Sequence, residues 1–388
     1  MPRPPLVSGT VAGIRGSVYS KLLHKLEAHR GEVYPFHVGD TYLPPPPGCA
    51  MEDLPAREHP GLNRYTPPQG LPALVDGVLE RLRARTGVPL ERSQLFVTGG
   101  ATAGLANAVG AVAERGDEVL LLAPHWPLID GICRTYGAIP VDVPFFGVAD
   151  SPESAVRAVK ERMTLRTVGL YVNTPSNPTG RVVPRPWLEA LAELARREDL
   201  WLFFDEVYEE YQYDGTHTSG LSLAPERSFA AYSLSKAFGM AGYRCGWLAG
   251  PAAPMQEALK LHTHNVYSAP TASQAVARKL LGGAGEAWLA HARASYAETG
   301  RKAAARLGVP PPQGSTFLFL DVSPALGEGG LEAFLEGCAD EGLFAAPGPS
   351  FGPYPTQIRV CYTAAPPDVT LRGVEVLARR LGRPRGSP

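Results

Sequence analysis

The sequence predicts an α/β fold, with a mainly parallel central sheet covered by helices and a smaller α+β domain beside it. Three observations lead there. From Gln94 to about residue 290, apolar stretches of strand character alternate with segments of helical spacing. Strands that alternate with helices imply parallel neighbours joined by crossovers, with helices on both sheet faces. Beyond that block comes an α+β tail, and 388 residues exceed what one hydrophobic core usually serves. The expected division is an N-terminal segment over 1–48 that joins the small domain, a large domain over 49–290 and a C-terminal small domain over 291–388.

Taken in order, residues 15–30 have helical spacing, 33–38 have the character of a short strand, and GDTYLPPPP forms a stiff loop. Residues 70–86 place Leu71, Leu74, Val75, Val78, Leu79 and Leu82 on one side of a helix. QLFVTGG then reads as a strand and ATAGLANAVGAVAERG as a helix. EVLLLA, IPVDVPF, TVGLYVN and LWLFFDEVY read as further strands, separated by the helices PLIDGICRTYG, SPESAVRAVKERM and PWLEALAELARRE. SFAAYSL and RCGWLAG are also strands. The tail holds a long helix (GEAWLAHARASYAETGRKAAARLG), the strands STFLFLDV and TQIRVCYT, and the helices LEAFLEGCADEG and PDVTLRGVEVLARRL.

Composition narrows the function. Hydrophobic residues make up 44% and charged residues 19%, as in an ordinary globular protein, and the formal net charge of -1 offers no basic footprint for nucleic acid and no polybasic membrane patch. No apolar run is long enough to span a bilayer, and the N-terminus lacks the pattern of a signal peptide. The five cysteines are scattered and odd in number, which points to reduced thiols in a cytoplasmic protein. His262 and His264 lack a third metal ligand at a recognisable spacing and read as surface histidines, and EVYEEYQYDG reads as cover for the sheet edge.

The chemistry centres on SFAAYSLSKAFGMAGYRCGW. Lys236 stands among small and apolar residues, where desolvation favours the neutral, nucleophilic amine. Ser233, Ser235 and Arg244 around it are donors suited to a phosphate, and a lysine able to form an imine beside a phosphate cradle suggests pyridoxal phosphate. Gly99, Gly100, Ala101 and Thr102 lie between a strand and a helix, where backbone N–H groups receive an anion or the chain simply turns. Asn177 projects from NTPSNPTG, a loop bent by two prolines. Asp205 ends the strand LWLFF, at the edge where open α/β sheets bind ligands; it would hold a pyridine nitrogen protonated or cap a helix. Tyr208 follows one helical turn later. Trp126 would stack on a flat ring or belong to the core. Arg359, inside an apolar strand, needs an anionic partner, either a substrate carboxylate or an internal acid.

Together NTPSNPTG, FFDEVYEEYQYDG and SLSKAFGMAGYRCGW, in this order, resemble the fold-type-I pyridoxal-phosphate-dependent aminotransferases of class I/II over roughly residues 30 to 380. The resemblance implies an aspartate-aminotransferase-like fold with a seven-stranded sheet domain and a small domain, in a homodimer whose active sites lie at the interface. It implies that Lys236 joins the cofactor as an aldimine and shuttles the proton while an amino group moves between an L-amino acid and a 2-oxo acid. Asp205 then matches the carboxylate on the pyridine nitrogen, Asn177 and Tyr208 the pair on the ring oxygen, and Trp126 the stacking aromatic. Gly100, Ala101, Thr102, Ser233, Ser235 and Arg244 match the phosphate cup, and Tyr65 the tyrosine that reaches the partner subunit's phosphate. Arg359 matches the arginine on the substrate carboxylate, with Gly39 contributing a backbone contact and Asn177 lying beside it.

Two departures bear on specificity. The loop YPFHVGDTYLPPPP carries His37, Asp40 and Tyr42 where the family has an apolar strand running into glycine, acid and proline. No second arginine is placed for a distal carboxylate; His264, Asn265 and Tyr267 occupy that stretch, which argues against a dedicated aspartate aminotransferase. The alternative on the same scaffold is another reaction of an amino acid, such as β-elimination, decarboxylation or cyclisation, because the fold does not decide the chemistry.

Overall fold

Seven strands share one sheet: β1 (Leu95–Thr98), β2 (Glu118–Ala123), β3 (Ile139–Pro144), β4 (Thr167–Asn173), β5 (Trp201–Asp205), β6 (Ser228–Ser233) and β7 (Gly246–Ala249). In this computed structural model, which describes residues 5–14, 22–55, 57 and 59–383, their spatial order is β1-β7-β6-β5-β4-β2-β3. The pairs β2–β3, β2–β4, β4–β5 and β5–β6 are parallel, and β7 runs antiparallel to both β6 and β1. The sheet is therefore mainly parallel, as expected.

Strand periodicity sorts the side chains into two cores. Leu170, Val172, Leu202 and Phe204 pack into the core on one face, and Tyr171 and Phe203 into the core on the other. Helix Ala101–Val112 lies on the second face, contributing Leu105, Ala108 and Val109. On the first face, helix Pro72–Thr86 buries Leu74, Val75, Val78, Leu79 and Leu82, the i, i+3, i+4 positions of an amphipathic helix. It opens on a proline and ends at Gly87, whose φ of 72° lies in the left-handed region favoured at helix C-termini.

A second, antiparallel sheet joins β8 (Phe317–Asp321), β9 (Ala346–Pro347) and β10 (Gln357–Cys361) in the order β8-β10-β9. Its core, which includes Phe317, Leu320, Ile358 and Val360, is closed by helices Glu286–Leu307, Gly330–Asp340 and Pro367–Arg380. Phe36 joins it, so the N-terminal segment folds back on the tail.

Four readings change. Part of the helix expected over 15–30 lies outside the described residues, and the described helix is Leu23–Ala28. Residues 33–38 form no strand; Tyr34 makes a single bridge to Leu343. His262 is fully buried, with its ring against Phe96 at 5.3 Å, because helix Ala252–Val266 turns this residue onto helix Ala101–Val112 and the sheet. EVYEEYQYDG leaves the central strand β5, not an edge: Tyr208 and Tyr211 enter the small-sheet core, and Glu209 and Glu210 pair with Arg85 of helix Pro72–Thr86 at 3.0 and 2.7 Å.

Candidate active site

The C-terminal ends of the parallel strands deliver one residue set to one edge of the large sheet. β1 runs into Gly99 and Gly100, β2 into His125 and Trp126, β4 ends on Asn173, β5 on Asp205 and β6 on Ser233. Because β7 is antiparallel, its start brings Arg244 to the same edge. In open α/β sheets ligands bind outside this edge. A cavity of about 280 Å³ opens there, lined by Gly39, Ala101, Thr102, Trp126, Asn177, Asp205, Tyr208, Ser233, Ser235, Lys236, Arg244 and Arg359. Of the residues expected from sequence, two are absent from this wall. Gly100 lies directly behind it, against the Arg244 guanidinium. Tyr65 is 82% exposed, and its ring meets that of Tyr267 at 4.8 Å with the planes tilted by 59°.

Lys236 sits in a short helix, Leu234–Ala237, and its Nζ donates to the carbonyl of Gly39. Burial pushes the amine below the ordinary lysine range; the Arg359 and Arg244 guanidiniums add to this, and the Asp40 carboxylate opposes it. Asp205 is almost wholly buried, and burial raises its carboxyl to about 6, although the Tyr171 hydroxyl donating to its Oδ2 at 2.8 Å pulls the other way. No cation is paired with Asp205 among the described residues. A buried carboxylate in that state suits a cationic ring nitrogen, which would bring the carboxyl back into its ionised form.

One end of the cavity is a cup of donors. The first N–H groups of helix Ala101–Val112 have no partner within the helix and lie at the positive end of its dipole. Gly100 precedes them with φ 87°, a conformation natural to glycine, and a Cβ there would stand 2.6 Å from an Arg244 nitrogen. Ser233 Oγ donates to Ser235 Oγ at 2.8 Å and accepts from the Ser235 N–H, and Arg244 reaches Ser235 Oγ at 3.5 Å. Backbone N–H groups, two hydroxyls and a guanidinium fit a phosphate, and with Lys236, Asp205 and the half-buried Trp126 they fit a flat, phosphorylated pyridine aldehyde.

At the other end, Arg359 of β10 is 7% exposed. Its guanidinium donates to Asn177 Oδ1 at 3.0 Å and to the carbonyl of His37 at 2.6 Å, and lies between the rings of Phe317 and Phe351 at 4.3 and 5.0 Å. No carboxylate pairs with it among the described residues, so the internal ion pair left open by the sequence is absent. Burial lowers its pKa. A buried guanidinium lacking an acid is costly unless a ligand supplies the anion.

Three residues of this region were missed from sequence. Tyr171 was recognisable in principle, since it stands two residues before Asn173 and therefore on the same strand face. His125 and Asp142 meet at 2.9 Å only because β3 pairs with β2.

A family model described as aminotransferase class I and II matches residues 33–379. The chain is 32% identical over 333 residues to the aspartate/prephenate aminotransferase of Thermus thermophilus, covering 83% of this chain and 84% of that protein. It is 33% identical over 311 residues to an arginine–pyruvate transaminase of Pseudomonas aeruginosa, covering 76% of each. Among solved structures, Thermus thermophilus aspartate aminotransferase with maleate superposes with a TM-score of 0.86 at 28% identity, covering 97% of this chain and all of that one.

Proposed function

The chain belongs to the class I and II aminotransferases, and from that premise we propose how its residues divide the work of a pyridoxal-phosphate-dependent transamination between an L-amino acid and a 2-oxo acid. The cofactor supplies an aldehyde for the amino group and a ring that accepts electron density from the breaking bond.

The other roles are carried by this chain. Ala101, Thr102, Ser233, Ser235 and Arg244 hold the phosphate, with Gly100 giving the backbone room to approach. Asp205, oriented by Tyr171, would keep a proton on the ring nitrogen, and Asn177 and Tyr208 would hold the ring oxygen. Trp126 would cover the ring. Arg359 binds the substrate α-carboxylate, which replaces part of its bonding to Asn177 and His37, and the Gly39 backbone lies alongside. Lys236 would be the amine that holds the cofactor and, once freed, the base that takes the substrate α-proton at its Nζ, a role its depressed pKa supports. The observation that carries this reading is a buried Arg359, paired with no carboxylate among the described residues, in the same cavity as Lys236 and Asp205.

On specificity, the relatives named above act on aspartate or prephenate and on arginine with pyruvate. Arg244 and Arg359 are the arginines on the described cavity wall, and the first is committed to the phosphate. This supports a donor without a side-chain carboxylate over a dedicated dicarboxylate enzyme. The assembly we propose is a homodimer in which Tyr65 reaches the partner's phosphate; its exposure beside the exposed Val266 and Tyr267 supports this. A cytoplasmic setting is supported by five free, buried cysteines; no helix of the described chain is long and apolar enough to cross a membrane.

The test is product analysis on an amino-acid panel with a 2-oxo acid acceptor. Transamination gives equal amounts of new amino acid and new oxo acid. Release of ammonia or carbon dioxide in place of acceptor consumption would establish the elimination or decarboxylation alternative.

A further inference from the structure

We propose that His125 is a positioning residue that braces the Trp126 wall of the cavity and, with Asp142, the turn that covers Arg359. The inference rests on the cofactor and carboxylate reading of the cavity given above.

His125 leaves β2 just beyond its C-terminal end and is only 4% exposed. Its Nδ1 lies 3.0 Å from the carbonyl oxygen of Trp126, and its Nε2 lies 2.9 Å from Asp142 Oδ1. Both partners are oxygens on opposite sides of the ring, so the imidazole spans the Trp126 main chain and the Asp142 side chain, and a ring N–H can donate to either. Contacts of 3.0 and 2.9 Å on either side of a buried ring fix the main chain at the residue whose indole forms the cavity wall.

The same residue reaches the small sheet. The His125 N–H donates to the carbonyl of Phe351 at 3.1 Å, and the Phe351 ring lies on the Arg359 guanidinium. Asp142 faces that turn too: its Oδ2 stands 3.6 Å from the position a Cβ on Gly352 would take. One imidazole–carboxylate pair thus ties the ring-covering side of the cavity to its carboxylate-binding side, although neither residue lies on the cavity wall. A bond that fixes both walls acts on cofactor and substrate binding together, whereas a merely structural residue changes stability alone.

The experiment compares wild type with His125→Asn, Asp142→Ala and Asp142→Asn. Apoprotein is titrated with pyridoxal phosphate to give a dissociation constant, and kcat and KM are measured separately on the loaded enzyme. Loss of the His125 or Asp142 contact is expected to weaken cofactor binding and raise KM for the amino acid by about tenfold each, with kcat changed far less. Asp142→Asn, which keeps an acceptor oxygen, recovers at least half of that loss on a logarithmic scale. Variants that lower the melting temperature but leave the cofactor dissociation constant and KM within about twofold of wild type overturn the proposal. If His125→Asn does not fold, the Asp142 pair decides the matter alone, since that carboxylate is half-exposed. A wild type that binds no pyridoxal phosphate overturns the reading of the cavity and this inference with it.

Discussion

The Tyr171 hydroxyl donates to the Asp205 carboxylate at 2.8 Å, between adjacent parallel strands and two residues out of register. Both groups are buried, and the bond holds one carboxylate oxygen while the residue remains on the cavity wall. It also partly offsets the burial that raises the carboxyl to about 6. Tyr171→Phe removes the offset, so the carboxyl rises further. Titration of Asp205 in the apoprotein should then move up in the phenylalanine variant by about one unit. An unmoved titration of the apoprotein carboxyl would count against this bond as what restrains it.

Asp205→Asn separates stability from function. A carboxyl whose folded pKa is raised from 3.8 to about 6 binds its proton more tightly in the folded apoprotein than in the unfolded chain. Stability therefore falls as pH rises through that window and stays reduced above it, by an amount on the order of 3 kcal/mol. The asparagine apoprotein should be more stable than wild type at pH 7.5 by about 1–3 kcal/mol, with the gain gone by about pH 4, and should lose transamination. Urea titrations at the two pH values check it.

Lys236→Ala and Tyr65→Phe test the dimer through hybrids. Borohydride reduction of the loaded wild type followed by peptide mapping should find the cofactor fixed at Lys236, and the alanine variant should show neither label nor turnover. If Tyr65 serves the partner's site, a mixed dimer of the two variants holds one site with both native residues. Refolding an equimolar mixture should restore about a quarter of wild-type activity, given random pairing. A mixture no more active than the average of the separate variants refutes the exchange.

Arg359→Lys keeps the charge but loses the planar fork that spans a carboxylate. KM for the amino acid should rise by about tenfold to a hundredfold, with cofactor affinity unchanged. Steady-state kinetics beside a cofactor titration measures both. Equal loss in the two would place Arg359 with the phosphate cup instead.

Gly246→Ala probes the close approach behind that cup. A Cβ at Gly246 would stand 2.2 Å from the Tyr232 carbonyl oxygen and 3.1 Å from the Gly100 Cα, so two backbones must part to admit it. Overpacking of this kind costs about 1–3 kcal/mol. Thermal melts should show that loss, and the shifted Gly100 should weaken cofactor binding.

Much of this arrangement was legible in the chain because its signals are local. Asp205 ends an apolar strand, Lys236, Asn177 and the Gly100 turn lie within four residues of the end of one, and parallel strands end at a common edge. Residues whose roles depend on contacts between elements were not legible. The place of Tyr171 on the Asn173 face can be read from spacing, but its bond to Asp205 needs β4 set beside β5, and Asp142 needs the β2–β3 register. His262 failed for a related reason: its neighbours His264 and Asn265 are exposed, and only the packing of helix Ala252–Val266 distinguishes the buried position. The 33–38 stretch has strand composition but finds only Leu343 as a bridging partner.

The aromatic enclosure of Arg359 has a practical corollary for the bench. A guanidinium flanked by Phe317 and Phe351, with no carboxylate paired to it among the described residues, should attract small oxyanions from solvent. On the proposed role of Arg359, acetate, sulfate or phosphate in a buffer would compete with the amino acid, and Michaelis constants would be comparable only at a matched counterion.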